Sequence, residues 1–295
     1  MRLSRDDEGS PADDSLLTVI GSSDLVITSK SALRALLSTI VAARVACAQT
    51  PDKPSVGELP PQVKPIAEVV VPIPSEVFGS LDKFSNSNWR LVQMDGLGRA
   101  KSHGDDTQIA LLLGVTIGEG FIAVEAHDAA EVKDVGVAVL RLAGALGVQP
   151  TVMRRSRSIV DLADKNDWPA VRKEWDAVLP EVQEGMKQLK SEQLSQLVSL
   201  GGWLRGTRAL TALILQRYSA DDAELLRQPA LLDRFEKQLA QMPKNPNVAK
   251  MHEGIQQMKS AVTGSTKPFS ESAVRDVAIL CDDLLATIAG EPRKH

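Results

Sequence analysis

The sequence predicts an all-α fold, an irregular bundle of about ten helices preceded by a signal peptide and a proline-rich extended segment. Three observations support this prediction. Apolar residues recur at helical spacing through most of the chain after residue 75. Capping and turn residues separate these stretches, and no pair of segments has the alternation of paired strands. A segment ahead of them holds seven of the sixteen prolines.

Residues 1–48 have the pattern of an export signal. The apolar run Ala35–Ala43 follows two basic residues, Lys30 and Arg34, and precedes the small-residue cleavage pattern of Ala46–Ala48. This run is too short to span a bilayer. We therefore expect cleavage after residue 48, a periplasmic or secreted protein in a bacterial cell envelope, and no transmembrane helix in the mature chain.

The position of this signal and its cysteine leave two alternatives open. A conventional signal has fewer residues ahead of its apolar core, which indicates a true start near Leu25 or Val26 and an over-long N-terminus. A lipoprotein anchored at Cys47 is the less favoured alternative to cleavage, because Arg44 departs from the usual pattern. Loss of Cys47 would leave Cys281 as the only cysteine, and a lone cysteine forms no intramolecular disulfide.

Two regions follow the signal. Residues 49–74 contain the proline-rich stretch, and proline removes backbone donors and restricts the chain, so we predict an extended linker. Residues 75–290 are predicted to form a single helical domain.

The helices of this domain are predicted in order from their caps and periodicity. Gly147 and Pro150 indicate where one of them stops. The predicted elements are Ser75–Phe84, a short helix over 86–97, Asp105–Ala126, Glu131–Leu146, a short helix over 156–167, a helix capped by Asp167 that Pro180 kinks or divides, Ser191–Arg217, a helix capped by Ser219, and helices over 230–242, 247–262 and 270–288.

Composition and motifs argue against several classes of function. The net charge of −4 and the 3% aromatic content argue against nucleic acid as a partner. No metal-ligand, haem-attachment, phosphate-binding or nucleophile motif is present, so we predict no cofactor and no metal site. Glu125, His127 and Asp128 point in different helical directions and would be poor co-ligands. The acidic pair Asp105 and Asp106 stands where a helix needs an N-terminal cap.

A basic cluster near the middle of the chain is the strongest local concentration of positive charge. Arg154, Arg155 and Arg157 fall within four residues. Such a cluster is typical of a solvated helix face, and it could also contact an anionic lipid headgroup. A weak membrane-surface contact is therefore one of the alternatives.

Two predicted helices are apolar on every side and yet carry a charge. Glu119 shares a stripe with Leu112, Val115 and Ile122, and a helix of this kind is normally central in its domain. Arg205 lies on a stripe of small residues that would let a neighbouring helix approach closely: Val198, Gly201, Gly202, Ala209 and Ala212. Arg208 lies at the edge of the same face.

A buried charge needs an opposite charge. We therefore predict that Arg205 pairs with Glu119, with Glu125 as the second choice. The preferred interpretation is an internal ion pair that sets the register of two helices. The alternatives are a pocket in which Arg205 and Arg208 bind an anionic ligand, and simple exposure to solvent.

These observations predict a binding or scaffolding protein of unknown specificity. Its partner would be an unidentified protein or small ligand of the cell envelope. No catalytic motif is found, so an enzyme is the less favoured reading. The alternative within that class is an envelope hydrolase whose acid and base come from Glu119, Glu125, Asp105 or Asp106.

Overall fold

Helices surround two central helices in a computed structural model that describes residues 79–94, 96, 104–265 and 267–290. Of the described residues 81% are helical and none forms a strand, which confirms the all-α prediction. All of them belong to one compact unit, Val63–His295. The predicted signal peptide, 1–48, and linker, 49–74, lie outside the described residues.

Nine α-helices of nine or more residues make up most of the described part of the chain. They are α1 Asp106–Glu125, α2 Ala129–Ala145, α3 Gln149–Asp164, α4 Trp168–Asp176, α5 Val178–Gln188, α6 Glu192–Gln216, α7 Pro229–Ala240, α8 Pro246–Gly264 and α9 Glu271–Ala289. Shorter elements are the helical turn Ala220–Ala223 and the 3-10 helices Asp82–Phe84, Trp89–Val92 and Glu224–Leu226.

The predicted N-terminal caps form as the sequence indicates. The Asp105 carboxylate accepts a hydrogen bond from the Gln108 amide at 2.9 Å, and Asp167 caps α4 in the same way. The hydroxyl of Ser219 accepts from the amide of Asp222. Each cap satisfies a backbone donor that the first helical turn leaves without a partner.

Three elements differ in detail from the predictions. Helix α3 begins at Gln149 and is longer than the predicted 156–167, because Pro150 lies in its first turn, where the missing N–H costs nothing. The predicted short helix over 86–97 is a 3-10 helix, Trp89–Val92, in its described part. Pro180 lies in the first turn of α5, so the predicted long helix is divided at Ala177.

Helices α1 and α6 form the centre of the bundle. Sixteen consecutive residues of α1 are buried, from Ile109 to Val124, and α6 is buried along most of its length. Helix α1 alone among the described helices has the length and apolar composition of a membrane span, and 89% of that window is buried inside the protein. A helix at the core of a bundle meets the same criterion.

Candidate functional site

Helices α1 and α6 approach each other so closely that their backbones touch. A Cβ atom added to Gly114 would lie 1.9 Å from the Val198 carbonyl oxygen, and one added to Gly201 would lie 2.1 Å from the Leu111 carbonyl oxygen. Only glycine fits at these crossings. One turn further along, Gly118 faces the Arg205 side chain, whose Cβ lies 3.0 Å from the position of an added Cβ.

The structure brings Arg205 and Glu119 together in this interface. Arg205 Nε donates to Glu119 Oε2 at 2.6 Å, and both side chains are 1% exposed or less. Burial lowers the pKa of Arg205, and the neighbouring Glu119 carboxylate opposes that effect. Because an arginine starts from a very high pKa, the guanidinium stays charged and the contact is a buried ion pair.

Both partners also bind the main chain of a segment that precedes α1. Arg205 Nη2 donates to the Val92 carbonyl at 2.5 Å, and the Met94 amide donates to Glu119 Oε1 at 2.9 Å. We call Trp89–Met94 the leading segment. Its Trp89 and Val92 side chains are buried, and the Trp89 ring meets Phe121 edge-on, with ring centroids 6.3 Å apart.

Glu125, the second-choice partner, does not reach Arg205. It forms an ion pair with Arg172 on α4, which also contacts Asp82 and Asp176, each at 3.0 Å. Burial alone would lower the pKa of Arg172, but Asp176 and Glu125 outweigh it, so the pKa is raised. The guanidinium carbon of Arg172 also lies 4.1 Å from the Phe121 ring centroid.

Arg208 is not part of the buried pair either. Its Nε lies 2.5 Å from Asp282 Oδ1 on α9, and the two side chains are 30% and 53% exposed. The sequence placed Arg205 and Arg208 in one potential anion pocket, whereas in the structure each guanidinium already has its own carboxylate.

Most of the remaining candidates from the sequence have partners within the protein. Hydrogen bonds from the Gln108 amide lower the pKa of Asp105, which suits a helix cap. Arg155 forms ion pairs with Glu174 and Glu181, while Arg154 and Arg157 are exposed on α3.

In the described part of the chain, neither the remaining cysteine nor the acidic and histidine residues form a reactive or metal-binding site. Burial raises the pKa of the Cys281 thiol to about 12. Among the described residues, no three His, Cys, Asp or Glu side chains are arranged to hold a metal ion.

An open cleft between α8 and α9 was not predicted from the sequence. It has a volume of about 740 Å³. Two of its lining residues, Gly254 and Leu284, are so close that a Cβ added to Gly254 would lie 2.3 Å from the Leu284 side chain. Polar groups line it: Gln108, Asn247, Lys250, Glu253, Gln257, Asp283 and Thr287.

The sequence does contain a signal for one wall of this cleft. Asn247, Lys250, Glu253 and Gln257 recur at intervals of three and four residues, which places them on one face of a helix. That spacing alone is also what any solvated helix face shows. The second wall, from α9, is visible only in the fold.

Comparison of the chain with protein-family models, with curated proteins and with solved structures finds no significant match.

Proposed function

We propose that this protein is an exported, helical binding or scaffolding module, and that it takes a small polar ligand in the cleft between α8 and α9. The observation that carries this proposal is the cleft itself, a groove of about 740 Å³ that is lined by both polar and apolar residues. Ligand pockets of small molecules commonly fall in the range of about 300–1,000 Å³. Export rests on the signal pattern of residues 1–48.

The lining indicates the chemistry of the ligand. Lys250 supplies a positive charge, and Glu253 and Asp283 supply two negative ones, with side-chain amides and a hydroxyl between them. Within the described residues these three charges form no ion pair with one another, although Glu253 accepts a hydrogen bond from Gln257 at 3.4 Å. Such a groove suits a ligand that carries both an ammonium and a carboxylate group, as free amino acids and short peptides do.

The alternative of a hydrolase on α1 has less support from the geometry. A general acid or base must reach a substrate with a free lone pair or proton. Both oxygens of Glu119 are occupied by Arg205 and the Met94 amide, with the side chain fully buried. Glu125 is held by Arg172, and Asp105 caps its own helix.

Membrane-surface contact remains a second candidate. It rests on Arg154 and Arg157, which are exposed, whereas Arg155 is held by two glutamates. Sedimentation of the protein with vesicles that contain an anionic lipid would test it. The charge-reversed variant R154E/R157E should then lose the binding, and the absence of binding by the unchanged protein would rule this candidate out.

The cleft proposal is tested by ligand-induced thermal stabilisation. The purified full chain is screened against the free amino acids and a panel of dipeptides, and a binder should raise the Tm. The variant Gln257→Trp places a large ring in the cleft lining and should abolish that rise. Gln256→Trp, at the neighbouring exposed position outside the lining, is the control and should keep it.

Two outcomes would contradict the proposal. One is that no member of the panel changes the Tm. The other is that Gln257→Trp and Gln256→Trp respond equally to the same compound, which would place the binding site elsewhere on the molecule.

A further inference from the structure

The Arg205–Glu119 pair binds main-chain atoms of the leading segment, in addition to joining α1 and α6. We propose that the pair is a recognition site for a short stretch of extended polypeptide backbone, and that its ligand is Val92–Met94, where the leading segment leaves its 3-10 helix. The site works as a latch that fixes where the chain joins the bundle. This inference does not depend on the cleft, which is lined by other residues.

The spacing of the two hydrogen bonds supports this reading. Gln93 is extended, with φ −63° and ψ 147°. In extended chain, the carbonyl of one residue and the amide two residues later point to the same side, where a neighbouring strand would bind them. Arg205 binds the Val92 carbonyl and Glu119 binds the Met94 amide, so the ion pair supplies the donor and the acceptor that a strand edge would offer.

The helix interface does not itself require these charges. Gly114 and Gly201 already bring the two backbones into contact. A buried ion pair is often no better for stability than an apolar pair of the same volume. What an apolar pair cannot provide is a partner for a buried carbonyl and a buried amide, and that is what the pair provides for the leading segment.

Side chains of the leading segment complete the contact. Trp89 and Val92 are 2% and 6% exposed, while Leu91 between them is 70% exposed. Arg90 reaches Asp128 at 3.2 Å, but its side chain is 61% exposed. The segment therefore lies with one side against the bundle. Arg90 and Leu91 are exposed, but a protease binds its substrate as extended chain on both sides of the cleaved bond. Cleavage by trypsin between them therefore requires the 3-10 helix, with its buried Trp89 and Val92, to detach.

The test measures that detachment in the full chain. Trypsin cleavage between Arg90 and Leu91 is followed by mass analysis, relative to cleavage after Arg157 in α3, which reports opening of the bundle. The variant Arg205→Met/Glu119→Leu keeps the volume and removes the latch. The rate of cleavage is proportional to the fraction of molecules in which the segment is detached. Loss of even one charged hydrogen bond should therefore raise the rate of cleavage between Arg90 and Leu91, relative to that after Arg157, about 10- to 150-fold.

A matched control removes a different ion pair of the same central helix. Arg208→Met/Asp282→Leu takes away a pair that does not contact the leading segment, and it should leave the relative cleavage rate unchanged. If both double variants give the same relative rate as the unchanged protein, the latch does not hold the segment and the proposal is overturned.

A backbone substitution gives a second test that spares the ion pair. Met94→Pro removes the backbone N–H that donates a hydrogen bond to Glu119, and Met94→Ala keeps it. Cleavage between Arg90 and Leu91 should be at least about ten times faster in the proline variant than in the alanine variant. Equal rates would overturn the proposal, even where the Arg205→Met/Glu119→Leu variant does not fold.

Discussion

Replacing Gly201 with alanine tests the close approach of α1 and α6 most directly. The added Cβ would lie 2.1 Å from the Leu111 carbonyl oxygen and 3.0 Å from the Val115 amide nitrogen. These are backbone atoms of another helix, so no side chain can rotate away. A carbon and a carbonyl oxygen are normally at least about 3.3 Å apart, and the two helices would therefore have to separate by roughly 1 Å.

The expected cost follows from two opposing terms. Overpacking a well-packed core costs about 1–3 kcal/mol, and we take the upper part of that range because both helices must move. Because alanine is a better helix former than glycine, it also stabilises the folded state by up to about 1 kcal/mol. The Gly201→Ala variant should therefore lose about 1–2 kcal/mol of unfolding free energy.

Gly136 in the interior of α2 provides the matched control. It is also buried, but a Cβ there would lie 4.0 Å from its nearest neighbour, the Ser156 hydroxyl. Gly136→Ala should thus stabilise the protein by about 0.5–1 kcal/mol. Urea unfolding followed by circular dichroism measures both variants, and equal stabilisation by the two alanines would refute the close contact between α1 and α6.

Three further predictions concern individual side chains. Glu119→Gln leaves the buried Arg205 guanidinium without a counter-charge, so it should lower the unfolding free energy by about 3–5 kcal/mol in urea titration; a loss below about 1 kcal/mol would mean that water reaches the pair. Cys281, buried and with a pKa raised to about 12, should not react with a thiol reagent at about pH 8 in native protein. Peptide mass analysis of the labelled protein checks this, and labelling of Cys281 without unfolding would contradict it. The lowered pKa of Asp105 contributes stability that is present above its unfolded value near 3.8 and lost as pH falls through the folded value. Asp105→Asn keeps a capping oxygen, so its stability relative to the unchanged protein should be lower at neutral pH and the difference should disappear in acid.

The contact between Arg205 and Glu119 could be anticipated because each charge lies on a helix that is apolar all round. A charged side chain on a helix with no solvent-exposed face requires an opposite charge from another buried helix. The glycines near Arg205 indicated where that helix would approach. Two independent sequence features therefore pointed to the same contact, α1 against α6.

The partner of Glu125 could not be anticipated in the same way. It depends on where α4 lies, and α4 is held against α1 by Trp175, whose Nε1 donates to the Ile117 carbonyl at 3.0 Å. The Trp175 ring occupies the space that a side chain at Gly120 would need. In the sequence, neither Trp175 nor Gly120 indicates which helix it will contact. The position of α4, and with it the pairing of Arg172 with Glu125, could therefore not be predicted.

The main-chain contacts of the latch are the hardest part of the site to predict from a sequence. Every residue has a carbonyl and all but proline have an amide, so no residue type marks Val92 and Met94 as the groups that Arg205 and Glu119 bind. A buried arginine does, however, have more donors than one carboxylate can accept. The excess donors of Arg205 require a further acceptor in the core, and a segment of irregular chain beside the two helices is where unpaired carbonyls are available.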